Sequence, residues 1–228
     1  MTTPTVRMSN VQVRFGDTEV LRNLTLEVPA GCVFGLLGPN GAGKSTTHAV
    51  IAGWLLPDAG FVEVLGHPAG DPELAGKVGA MGQASPLDPD RTLRAELVRH
   101  ARLLDVADAS LFERVGELDL VAFLDRKAGE VSEGQRRRAE LACALLGDPP
   151  LLLLDEPTAG LDPIQADLVH ALLSNRPEGQ TVIITSNRLV ELDGLCDHIA
   201  VIDGGVTVLE EAVGETPIRE RFLSVVGR

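Results

Sequence analysis

Residues 32–47 read CVFGLLGPNGAGKSTT. An apolar run ends in a glycine-rich turn, and the turn hands Gly43, Lys44, Ser45 and Thr46 to what the pattern predicts is a helix. The stretch fits G-x-x-x-x-G-K-[ST], with Gly38, Gly43, Lys44 and Ser45 in the fixed places. The spacing has a physical reason. Successive backbone N–H groups must converge on one hollow, and side chains with a Cβ would crowd it. The loop Gly38, Pro39, Asn40, Gly41, Ala42 and Gly43 supplies those groups from every residue except Pro39, which has no N–H. The N-terminus of the following helix adds positive potential. Lys44 adds a full charge for the β- and γ-phosphates of a nucleotide, and the Ser45 hydroxyl is a ligand for Mg²⁺.

The chain has 228 residues, enough to bury a substantial core. No apolar run reaches the roughly 18–20 residues that span a bilayer, and the first ten residues show no signal-peptide pattern. The net charge of −13 argues against a nucleic-acid partner. Cys32, Cys143 and Cys196 fit neither a metal spacing nor a disulfide framework, and read as small core residues in a reducing compartment.

Upstream of the loop, 5–14 and 19–28 alternate imperfectly and predict an antiparallel hairpin-like pair around Phe15-Gly16-Asp17. Downstream, 44–55 predicts a helix packing Ala49, Val50 and Ala52 inward. Residues 61–65 and 77–83 predict strands, the second ending at Gln83. Residues 86–147 lack strand-like alternation and predict a helical insertion closed by a helix over 132–146 with Ser132 at its N-cap. Leu151–Leu154 is an unbroken apolar run, the pattern of a strand buried on both faces. Asp155 and Glu156 follow at its carboxyl end, where parallel sheets bind ligands. One carboxylate there can hold Mg²⁺ and the next can polarise an attacking water. A helix over 163–174, a buried strand at 181–185, a short helix at 188–195, strands at 198–202 and 206–210, and a helix in the tail complete the prediction.

In this context Val131-Ser132-Glu133-Gly134-Gln135 resembles the LSGGQ signature of ATP-binding-cassette (ABC) ATPases, the nucleotide-binding subunits of ABC transporters. The resemblance covers roughly residues 5–210. It implies an α/β P-loop NTPase fold: a RecA-like core with a mostly parallel sheet, an N-terminal antiparallel β region and the helical subdomain of 86–147, in a single domain. It implies that Phe15 stacks on adenine. It gives Gln83 the place of a glutamine that touches Mg²⁺ or the attacking water, and Asp162 that of the D-loop aspartate. Ser132, Glu133, Gly134 and Gln135 would face ATP held by a second subunit in a head-to-tail homo- or heterodimer. The implied activity is hydrolysis of Mg·ATP, with Glu156 as base and Ser45, Gln83 and Asp155 around the metal. It would be coupled to a separate integral membrane permease, with residues 84–100 in the docking groove and the chain peripheral at the inner face of the cell membrane. The phrasing around the phosphate loop looks most like the subclass serving exporters of drugs, lipids or polysaccharides.

Two positions depart from the family pattern. Asn187 stands where the family carries a histidine, and His198 lies outside that register. Glu133 replaces a glycine of the signature, with Arg136, Arg137 and Arg138 nearby to offset its charge. Slowed hydrolysis follows as an expectation. A regulatory or catalytically impaired half of a heterodimer is the alternative, and a soluble ABC ATPase outside transport is a further one.

Overall fold

A computed structural model describes residues 3–187, 189 and 192–226. Two sheets share the molecule. The first, in the order β2-β1-β4-β5, is antiparallel: β1 (Val6–Phe15) pairs with β2 (Thr18–Val28) and β4 (Ala59–Val64), and the two-residue β5 (His67–Pro68) closes the edge. The imperfect alternation of residues 5–14 has a cause. The β1–β2 register shifts between Met8 and Val11, where Asn10 takes φ 51°, a left-handed conformation that asparagine tolerates better than most residues.

The second sheet runs β10-β9-β3-β8-β7-β6. Its strands are β3 (Val33–Leu37), β6 (Val78–Met81), β7 (Leu151–Asp155), β8 (Thr181–Thr185), β9 (His198–Asp203) and β10 (Val206–Ala212). Every pairing is parallel except that of β10 with β9. Its central strands β3, β8 and β7 are buried on both faces. Leu151 and Leu153 pack into a core shared with the antiparallel sheet, together with Phe34, Leu36 and Ile183. Leu152 and Leu154 pack with Val33, Leu37, Val182 and Ile184 into a second core on the helical side. The period-two division of each apolar run between two cores is why the runs show no polar alternation.

The helices are α1 (Lys44–Ile51), α2 (Leu93–Leu103), α3 (Asp108–Glu117), α4 (Glu133–Leu145), α5 (Pro163–Ser174) and α6 (Ile218–Val225). Helix α1 is shorter than its predicted span of 44–55. The chain turns back at Gly53, and the N–H groups of Trp54 and Leu55 return to Ala49 O at 2.9 and 3.2 Å. Of the residues predicted to face inward, Val50 is buried, while Ala49 and Ala52 are half-buried beside the buried Thr47, His48 and Ile51. Between β6 and β7 run α2, α3 and α4, with Leu93, Leu97, Leu111, Val115, Leu141 and Leu145 facing the helical-side core. The helix expected over 188–195 lies partly outside the described residues.

All three cysteines are buried and free. Burial pushes the thiols of Cys143 and Cys196 up to about 12 and that of Cys32 to about 11. The native chain at pH 8 is therefore expected to give far less than one equivalent with a thiol-titrating disulfide reagent, because the reactive thiolate is scarce and sheltered. Denatured in guanidinium it is expected to give all three. Fast reaction of the native chain would contradict this packing.

Candidate active site

Strand order assembles the site. Because β8 lies between β3 and β7, the loop after β3, Thr185 at the end of β8 and the acid pair at the end of β7 lie along one edge of the sheet. The loop is closed by tight approaches. A Cβ on Gly38 would lie 2.3 Å from Ile202 O, and one on Gly43 would lie 2.6 Å from Leu21 Cδ2. The second position also has φ 107° and serves as the N-cap of α1. Only glycine meets both demands there. Ala42 N–H returns to Pro39 O at 3.1 Å, and Gly205 N–H reaches Ala42 O at 3.2 Å, tying the loop to the turn between β9 and β10. Asn40 and Gly41 are exposed at the rim, and Thr46 is half-buried in α1.

Lys44 is 7% exposed. Its Nζ donates to Gly38 O at 2.8 Å and Pro39 O at 3.1 Å. Burial holds its pKa below the ordinary value, and the nearby charges of Glu156 and Asp155 oppose that shift. The ammonium therefore sits in the field of the acid pair. Gln83 Nε2 donates to Ser45 Oγ at 2.8 Å, bringing together two residues 38 positions apart.

Asp155 is buried, and its Oδ1 accepts from the Thr185 hydroxyl. Glu156 follows with φ 51°, a left-handed conformation that costs a non-glycine residue on the order of 1–3 kcal/mol. Its N–H donates to Thr185 O at 3.0 Å and to Thr185 Oγ1 at 3.2 Å, and its carbonyl accepts from Arg137 Nη2 at 3.0 Å. These bonds hold the conformation that aims the side chain off the strand. A cavity of about 250 Å³ is lined by Gln83, Ser85, Glu133, Arg136, Glu140 and Glu156, among others. A larger one of about 450 Å³, between α3 and α5, contains none of the motif residues.

The signature stretch opens α4. Ser132 Oγ accepts from Gln135 N–H at 3.2 Å, and Gln135 Oε1 accepts from Ser132 N–H at 3.0 Å, a reciprocal capping box. Glu133 lies over Gly160, where a Cβ would come within 3.1 Å of Glu133 Cδ. Arg136 and Arg137 line the same cavity as Glu133. Among the described residues, the ion pairs of Arg136 and Arg137 go to Glu140 and that of Arg138 goes to Asp119, not to Glu133. Asp162 caps α5, accepting from Gln165 N–H at 2.9 Å.

Two further predicted positions are exposed. Phe15, 55% exposed, sits at the turn of the hairpin whose second strand reaches Gly43 through Leu21. Asn187 is exposed just beyond β8. His198 begins β9 opposite Phe34, at the end of the sheet away from the phosphate loop, so it does not stand in for Asn187. Sequence reasoning passed over Thr185 and His48, and gave Arg137 only as a countercharge to Glu133. Thr185 carries a signal in retrospect, a polar residue ending a buried strand level with Asp155. His48 is buried behind the loop, its ring 5.4 Å from that of Trp54, and burial lowers its pKa.

A glycine loop with a buried lysine, an adjacent hydroxyl and an acid pair two strands over define a P-loop nucleoside triphosphatase. The chain belongs to the ABC transporter family, whose model matches residues 21–159, and within it is an ATP-binding subunit with ATPase activity. It is 39% identical over 215 residues to the Nod factor export ATP-binding protein I of Cupriavidus metallidurans, covering 91% of this chain and 71% of that protein. Among solved structures it resembles a nucleotide-free ATP-binding cassette from an ABC transporter, with TM-score 0.81, 27% identity, and coverage of 99% of this chain and 98% of the other. It also resembles a dimeric cassette in a post-hydrolysis state bound to ADP and phosphate, with TM-score 0.82, 25% identity, and coverage of 92% and 100%. Among the described residues no helix is long and apolar enough to cross a membrane.

Proposed function

We propose that this chain holds Mg·ATP on the Gly38–Thr46 loop, with Phe15 against the adenine, and hydrolyses it with Glu156 as general base while a separate membrane permease moves the cargo. The observation that carries the reading is the meeting of Ser45, Gln83 and Glu156 at the mouth of the loop, with Lys44 already directed at loop oxygens. Ser45 Oγ, the Gln83 amide and the Asp155 carboxylate form a hard, oxygen-rich donor set that suits Mg²⁺, which takes few protein ligands beside phosphate oxygens and water. The metal would lower the charge repulsion on the phosphates. This chain's own part is to orient the nucleotide, hold Gln83 and place the Glu156 carboxylate to take a proton from water.

The active unit in this reading is a head-to-tail dimer in which Ser132, Gly134 and Gln135 of one subunit face the nucleotide of the other. The dimeric neighbour supports it. The helices between β6 and β7 act as a subdomain that docks the permease through residues 84–100 at the inner face of the membrane. The direction of transport in this reading is export, which the relative's name supports.

A second reading, a slow or regulatory half of a heterodimer, is favoured by Asn187 and by Glu133, whose carboxylate shares the cavity with that of Glu156. Asparagine donates a hydrogen bond but carries no charge. If Asn187 limits hydrolysis, Asn187→His raises the steady-state ATPase rate of the purified chain by up to about 10²-fold, the worth of a whole transition-state donor, since what histidine adds is charge. An unchanged rate would show that Asn187 is not the limit.

A further inference from the structure

We propose that Arg137 is a positioning residue that holds Gln83 and the acid pair in one rigid frame, setting the rate of hydrolysis and not the affinity for ATP. The inference rests on the assignment of Glu156 and Gln83 to the hydrolytic site.

Three arginines follow one another on α4, and the helical step of about 100° sends them in three directions. Arg136 lies half-exposed, 3.8 Å from Glu140. Arg138 turns into the helical stretch, where its Nη1 donates to Leu118 O at 2.7 Å and Asp119 O at 3.2 Å. Arg137 turns toward the sheet. Its Nη1 donates to Gly82 O at 2.9 Å and to Glu140 Oε2 at 3.2 Å. Its Nη2 donates to Glu156 O at 3.0 Å and also to Asp155 O.

Those acceptors belong to the segments whose relative position matters most. Gly82 immediately precedes Gln83. Asp155 and Glu156 carry the two carboxylates. One planar guanidinium thus joins the stem of the glutamine arm to the backbone of the acid arm, from an element that belongs to neither. Glu140, 4% exposed, supplies the countercharge that lets a cation remain there. The fork is rigid, so sliding Gly82 against residues 155–156 breaks at least one bond. Lysine, a single rotatable point donor, cannot serve the same acceptors in fixed geometry.

The site contains its own reporter. Trp54 is the chain's single tryptophan. A Cβ on Gly82 would lie 2.8 Å from Trp54 Cζ3, so the ring rests on the residue Arg137 holds.

The test uses the full chain with Arg137→Lys, Arg138→Lys and Glu156→Gln. Arg137→Lys is expected to lower kcat for ATP by about 10–100-fold, the scale of a misplacement near 1 Å, while the Kd of a fluorescent ATP analogue stays at the wild-type value. The emission or quenching of Trp54 is expected to change in the same variant without nucleotide. Arg138→Lys, which disturbs only the helical stretch, is expected to leave kcat per folded molecule and Trp54 emission unchanged. Should Arg137→Lys fail to fold, Arg137→Gln gives the same comparison. A wild-type kcat in the Arg137 variant, or a Kd that rises by the factor kcat falls, overturns the inference. If Glu156→Gln is inactive while Arg137→Lys matches wild type, the base assignment stands and the frame falls. If Glu156→Gln still turns over, the base assignment falls, and Trp54 emission alone decides for or against the frame.

Discussion

Glu156→Gln is expected to lower steady-state ATP turnover by about 10²–10⁴-fold, the range that a positioned general base contributes, with ATP affinity unchanged. The substitution is informative because so little else should move. Glutamine has the shape of glutamate, and the left-handed backbone at this position is held by main-chain bonds to Thr185 and Arg137 that do not involve the carboxylate. What is lost is a group able to take a proton. The amide is also neutral, so Lys44 loses one of the two nearby negative charges that favour its ammonium form. That charge loss acts on Lys44 at a distance through a partly buried site and should leave the phosphate contacts in place. The measurement is phosphate release beside equilibrium nucleotide binding. Turnover at the wild-type rate would move the base to another residue.

Lys44→Met is expected to weaken ATP binding by about 10²-fold or more. A charge-assisted hydrogen bond is worth roughly 1.5–3 kcal/mol, and the lysine is placed to make such bonds to two phosphate groups. The neutral methionine fills a similar volume, so folding is spared. The loop carbonyls of Gly38 and Pro39 lose a donor, however, and a local loosening of the loop adds to the loss. Titration with a fluorescent ATP analogue separates this outcome from that of Glu156→Gln, where affinity persists and turnover does not. Equal affinity in Lys44→Met and wild type would refute the role of the ammonium.

The elements legible in the sequence were those whose physics is local. The phosphate loop is a backbone conformation written in glycines. The apolar runs at β3, β7 and β8 announce burial on both faces because each alternates between two cores. Ser132 announces a helix start because its side chain bonds the N–H three residues on. The rest depends on contacts between distant segments. Nothing in the run of three arginines tells which one faces the sheet, since that depends on how α4 is rotated against β6 and β7. The surroundings of Glu133 were open for the same reason: three cations follow it in sequence at 136–138, and only the fold shows that it also lies over Gly160. The early end of α1 came from a turn at Gly53 whose return bonds cannot be read from helix propensity.

The placement of β3 has a consequence for synthesis on the ribosome. Phe34 pairs with Ile183 on one side and with His198 on the other, both encoded far downstream. The antiparallel sheet of β1, β2 and β4 pairs within the first third of the chain. β3, by contrast, emerges with two open edges and keeps them until β8 and β9 have been made. The glycine loop at its end also leans on Ile202 and Gly205. A nascent chain stalled before β8 therefore presents an apolar strand to chaperones and lacks a finished nucleotide site, and ATP can stabilise only a chain extended past Gly205.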